Sequence, residues 1–144
     1  MTKVLQQKTT RQGFSTHIGF TPGEYANGIA TQYLEIKAHH TQYQNNVHGG
    51  VIASLIDNCA GGAASSMVPQ GKGVVTADMH INYLRPGTAP QLRARGRVIK
   101  SGRKLIVVQV EVFNHNGQMC AIGTLSFAVI DHRANQPPVN HQQQ

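Results

Sequence analysis

The stretch from Gly50 to Met67 limits the folds open to this chain more than any other. Val51, Ile52, Leu55, Ile56, Cys59, Ala60 and Ala63 recur there at the spacing of one buried helical face. Asn45-Asn46 offers capping chemistry ahead of the helix, and Pro69 and Gly71 stop it. The second half, Ala60-Gly61-Gly62-Ala63-Ala64-Ser65-Ser66, is nearly all small residues, a surface that another layer can approach closely. No second long helix is expected. An earlier strand is read over Gly28 to Ile36, after a Pro22-Gly23 turn signal. Four more follow Gly73: Val74 to Leu84, Gln91 to Lys100, Leu105 to Asn114 and Gln118 to Ile130. Pro86-Gly87, Ser101-Gly102 and Asn116-Gly117 break them, the last a two-residue hairpin signal that favours antiparallel pairing. The pattern predicts an α+β domain, with a long central helix packed on one face of a curved antiparallel sheet. A chain of 144 residues suits one such domain. Its span is expected to be 14–131, with flexible polar ends at 1–13 and 132–144.

Charge and composition narrow the partners. A net charge of +7 points to a polyanion, either nucleic acid or a phosphate-bearing small molecule. Trp is absent, aromatic content is 6%, and no helix carries a dense Lys/Arg run, so the chain lacks a nucleic-acid stacking platform or recognition helix. No nucleic-acid partner is expected. No apolar run approaches the length of a membrane span, and a cytoplasmic protein without a membrane partner is expected. The two cysteines, Cys59 and Cys120, fall in apolar stretches and read as buried thiols rather than a disulfide or zinc framework. His39, His40 and His80 lack metal-ligand spacing with an acidic partner, so no metal is expected.

Between Lys37 and Lys72 the one formally charged side chain is Asp57, set in the helix among Leu55, Ile56, Asn58 and Cys59. A carboxylate there is either solvated on one stripe of the helix or held in a cleft as a general base or nucleophile. His48-Gly49-Gly50 begins the same helix. Paired glycines leave backbone N–H groups uncovered at the positive end of the helix dipole, where a polarised carbonyl can dock. His48 suits holding that turn through its side chain, with general-base catalysis as the competing role. Eight residues separate Gly49 from Asp57, about 12 Å along the axis. If both act on one carbonyl, two chains must supply them, with helices antiparallel across a two-fold axis. Arg93, Arg95 and Arg97 share one face of a strand; Arg85, Lys100, Arg103 and Lys104 lie at strand ends near loops, where they could reach phosphates.

His40-Thr41-Gln42, His48-Gly49-Gly50-Val51-Ile52-Ala53-Ser54-Leu55-Ile56-Asp57 and Asp78-Met79-His80-Ile81-Asn82-Tyr83-Leu84-Arg85-Pro86 together resemble the hotdog-fold thioesterases of the phenylacetate-degradation type, over roughly Phe14 to Ile130. The resemblance implies a hotdog fold and hydrolysis of an acyl-CoA thioester, with coenzyme A as part of the substrate and no separate cofactor. It implies that Asp57 activates water or attacks the carbonyl, and that the Gly49 N–H polarises that carbonyl. Gln42 stands where many relatives have an asparagine that assists, and Thr76 where some have a serine that orients the water. Gly50, Arg85, Arg103 and Lys104 would contact the substrate or its CoA portion. A homodimer at least, and a homotetramer by further pairing, is expected. The other reading is a hotdog module that binds acyl-CoA or a fatty ligand without cleaving it.

Overall fold

A computed structural model of the protein describes residues 13–131. Residues 1–12 and 132–144, most of the two expected flexible ends, lie outside the described residues. The elements run α1 (Phe14–Ile18), β1 (Glu24–Ala26), β2 (Ile29–Glu35), a 3-10 turn at Ala38–His40, α2 (Gly49–Ser65), β3 (Lys72–Tyr83), β4 (Gln91–Ser101), β5 (Leu105–Asn114) and β6 (Met119–Asp131). The strands form one antiparallel sheet in the order β1-β2-β4-β5-β6-β3. This is the expected α+β hotdog architecture, one long helix held by a six-stranded sheet.

The helix and sheet meet through alternation. Leu34, Leu92, Ala94, Val108, Val110, Val112 and Leu125 face inward and are fully buried, as are Leu55, Ile56, Cys59 and Ala60 of α2. Each large aliphatic side chain among them contributes about 1.5–3 kcal/mol. The close approach is set by small residues. A Cβ on Gly123 would lie 3.0 Å from Ile56, and one on Gly96 would lie 3.4 Å from the Cys59 sulfur. Cys59 and Cys120 are free and buried, as expected of both thiols.

Several features depart from the sequence reading. The N-cap of α2 is His48, whose ring accepts the Gly50 N–H, and not Asn45-Asn46; Asn45 instead takes a left-handed turn position at φ 64°. The short α1 and β1 were not expected. β1 and β2 form a hairpin through Asn27-Gly28, both at positive φ, a turn pair that favours hairpins and was legible in the sequence. In α1, Ser15 Oγ donates to Asn58 Oδ1 at 3.1 Å. Asn58 Nδ2 donates to the buried Gln32 at 2.7 Å, and Gln32 Nε2 donates to the Thr21 carbonyl at 3.0 Å. Buried polar groups must find partners, and this chain of bonds fastens residues 13–21 to the middle of α2. Among the described residues no helix is long and apolar enough to cross a membrane.

Candidate active site

The start of α2 is stapled before the helix begins. The His40 ring is buried; its Nδ1 accepts the Lys37 N–H at 2.9 Å and its Nε2–H donates to the Ile18 carbonyl at 2.6 Å. The His40 carbonyl then accepts the His48 N–H at 2.8 Å, and the Val47 N–H reaches the Gly87 carbonyl at 2.8 Å. His48 Nδ1 takes the Gly50 N–H at 2.9 Å, a bond that holds the turn. Among the described residues nothing engages the Gly49 N–H. The next helical donors, Val51 and Ile52, both go to the His48 carbonyl. Gly49 thus offers one uncovered N–H at the positive end of a 17-residue helix.

Asp57 is half-buried two turns further on. Thr76 Oγ1 donates to its Oδ1 at 2.7 Å, while Oδ2 has no partner and no cation forms an ion pair with it among the described residues. A carboxylate oriented by one hydroxyl and free at its second oxygen can take a proton or attack a carbon. Thr76 reaches it because of a bulge. Thr76 pairs with Phe127 and Asp78 with Ser126, leaving Ala77 as the extra residue. Before the bulge Val74 and Thr76 face inward, and after it Met79, Ile81 and Tyr83 do, opposite Leu125, Gly123 and Ala121. Tyr83 had no role in the sequence reading; its hydroxyl donates to the Gly49 carbonyl at 2.8 Å and ties β3 to the helix start. His40 was also missed as an anchor; a buried histidine that closes a 3-10 turn leaves little sequence signal.

The other expected site residues are dispersed. Gln42 lies in the loop before α2, but its side chain folds onto its own turn, accepting the Gln44 N–H, while its Nε2 meets Gln44 Oε1 at 3.4 Å. Gly50 is at the helix start, exposed, with its N–H used by His48. Arg85 follows β3 at the Gly49 end and donates to the Met119 carbonyl at 2.6 Å. Arg103 and Lys104 form the β4–β5 turn at the opposite end, where Lys72 pairs with Asp131. One chain therefore does not bring Arg85 together with Arg103 and Lys104. Among the described residues no three His, Cys, Asp or Glu side chains are grouped to hold a metal ion.

The thioesterase superfamily profile matches residues 44–121, which contain both ends of this arrangement. The chain belongs to the thioesterase superfamily. Within that superfamily it is 32% identical to the BH2602 protein of Bacillus halodurans, whose structure was solved with CoA; the match covers 72% of this chain and 68% of that one, with a TM-score of 0.67. It is 25% identical to the Escherichia coli PaaI protein of the phenylacetic acid degradation operon, over 81% and 83% of the two chains, with a TM-score of 0.72. It is also 29% identical over 99 residues to the medium/long-chain acyl-CoA thioesterase YigI of Escherichia coli, 60% of this chain and 64% of that one. Thioester hydrolysis is the reaction this superfamily membership assigns, and a free carboxylate oxygen and a free backbone N–H are chemically able to serve it.

Proposed function

We propose that the protein hydrolyses acyl-CoA thioesters as a homodimer at minimum, each site joining the helix start of one chain to Asp57 of the other. The observation that carries this reading is the Thr76-held Asp57 carboxylate on the same helix as an unengaged Gly49 N–H. About 12 Å of helix separates the two, too far for one carbonyl to touch both within one chain. A second copy is further favoured by β3, a 12-residue strand on the sheet edge whose other side has no partner strand among the described residues and whose Val75, Met79 and Tyr83 are exposed. Long apolar edges of this kind are normally covered.

In the proposed reaction the thioester oxygen accepts the Gly49 N–H. Asp57 Oδ2 then takes a proton from water as the water oxygen bonds to the carbonyl carbon, or bonds to that carbon itself and is released by water afterwards. The oxyanion stays against the helix start, the C–S bond breaks, and the CoA sulfur leaves to be protonated as thiol. Antiparallel helices also place Arg85 of one chain and the Arg103-Lys104 turn of the other at the same end of the dimer, where cations would face the CoA phosphates. The B. halodurans relative's bound CoA supports that substrate class. The test is thiol release from short, medium, long and aromatic acyl-CoAs by wild type and Asp57→Asn. Turnover by wild type and a loss of roughly a hundredfold or more in the variant are expected. Equal rates in the two proteins, or CoA binding with no thiol released, would overturn the reading.

A further inference from the structure

Gly61 lies one helical turn after Asp57, and among the described residues nothing requires a glycine there. A Cβ built on it would meet only the Phe127 ring, at 3.9 Å, an ordinary contact. Its neighbour Gly62 differs, because a Cβ there would fall 2.2 Å from the buried Tyr25 ring. Glycine inside a helix costs about 1 kcal/mol relative to alanine. At Gly62 the packing of Tyr25 accounts for that cost; at Gly61 no contact among the described residues does. The space beside Gly61 is kept for something outside the fold.

Its surroundings say what that is. The bonds from Tyr83 to Gly49 and from Thr76 to Asp57 show that β3 runs antiparallel to α2. Continuing along the helix past Asp57, the strand passes from Thr76 back to Val74. Val74 is paired with Val129 and Thr76 with Phe127, all on the inner face. The wall beyond the carboxylate is therefore apolar, with Gly61 as the gap in its helical side. In the dimer proposed above, the partner helix does not fill that gap. The pairing that sets Gly49 against Asp57 centres the crossing on Ala53 and carries Gly61 a turn past the partner's helix start. The nucleotide and phosphates of CoA are polar, so an apolar wall suits the acyl part of the substrate.

Resting on the acyl-CoA reading above, we infer that Gly61 determines acyl specificity: the acyl chain runs from the carbonyl at Asp57 past Gly61 along Val74 and Phe127. The preferred substrate then carries an extended apolar acyl group, one that reaches a helical turn, about 5.4 Å, beyond the carbonyl. The experiment compares kcat/KM for acetyl-, hexanoyl- and lauroyl-CoA in wild type, Gly61→Ala and Gly61→Val, with thermal unfolding and sedimentation of each protein. Alanine fits the contact geometry and favours helix, so Gly61→Ala keeps the comparison interpretable where valine disturbs folding. Gly61→Val is expected to lower the hexanoyl and lauroyl values roughly tenfold or more, with a smaller loss in Gly61→Ala and the acetyl value kept. An equal loss for all three substrates, an unchanged profile, or a shift to monomer without a change in profile would each overturn the inference. In those cases acetyl turnover abolished by Asp57→Asn would leave the acyl-CoA reading standing. A wild type inactive on all three and on an aromatic acyl-CoA would remove both.

Discussion

Thr76 and Asp57 form a pair in which the hydroxyl orients a carboxylate without neutralising it. A threonine O–H donated to a carboxylate contributes more than a neutral hydrogen bond, about 1.5–3 kcal/mol, and here it fixes Oδ1 at 2.7 Å so that Oδ2 points free. Thr76→Val keeps the shape and β preference of the side chain but deletes the donor. Its expected effect is a fall in kcat of roughly ten- to a hundredfold with KM little changed, because the lost bond serves the carboxylate proposed to react and not substrate binding. Thr76→Ser, which retains the hydroxyl, should recover most of that rate. A rise in KM alone in Thr76→Val, or no recovery by serine, would mean that the hydroxyl is a packing feature. His48 acts on the backbone instead. With Nδ1 already accepting from Gly50, it secures the turn that presents Gly49.

At the scale of elements, α2 and the four long strands were legible because their periods are unambiguous. Leu55, Ile56 and Cys59 repeat as a helix, and Ile106, Val108, Val110 and Val112 alternate as a strand buried on one face. The candidate site was legible where it rests on local sequence, as at the helix start His48-Gly49-Gly50. It was not legible at Thr76 on pattern alone. Strict alternation sets Thr76 on the face of Asp78 and His80, and only the extra residue Ala77 brings it inward beside Asp57. The His40 anchor depends on the Ile18 carbonyl of α1, a partner that no short window contains, while the Gln42 turn is closed by local bonds to Gln44 and Asn46 that its residue types do not announce. The helix–sheet contact also makes a measurable prediction. Burial pushes the Cys59 thiol from about 9 up to about 12, and burial together with repulsion from Cys59 pushes the Tyr25 hydroxyl from 10 up to about 12. Both groups hold their protons longer folded than unfolded, so their contribution is complete below pH 9 and is lost as pH rises to about 12. Urea midpoints should fall through that window, and Cys59→Ala should flatten the fall. A midpoint that is level between those values would refute it.

For the whole molecule, the question is whether one site draws on two chains. Gly49 is the first helical residue, where proline is well accepted because its missing N–H has no helical partner in any case. The preceding His48, at φ −61° and ψ 135°, already has the extended geometry that a residue before proline needs. A Cβ at Gly49 would sit 3.6 Å from the Tyr83 ring, an ordinary contact. Gly49→Pro therefore removes the one N–H proposed to polarise the carbonyl while sparing the helix, and the variant should fold but fail to turn over acyl-CoA. Asp57→Asn should fail for the opposite reason. When the two inactive proteins are unfolded and refolded together, a mixed dimer holds one site made of an intact Gly49 and an intact Asp57, beside one site lacking both. With random pairing, half of the dimers are mixed and each has one working site, so activity should return to about one quarter of the wild-type value. Sites confined to single chains would return none. The refolded mixture is thus expected to show thiol release that neither parent shows at the same total concentration, and its absence in a mixture proven by mass to contain mixed dimers would exclude the shared site.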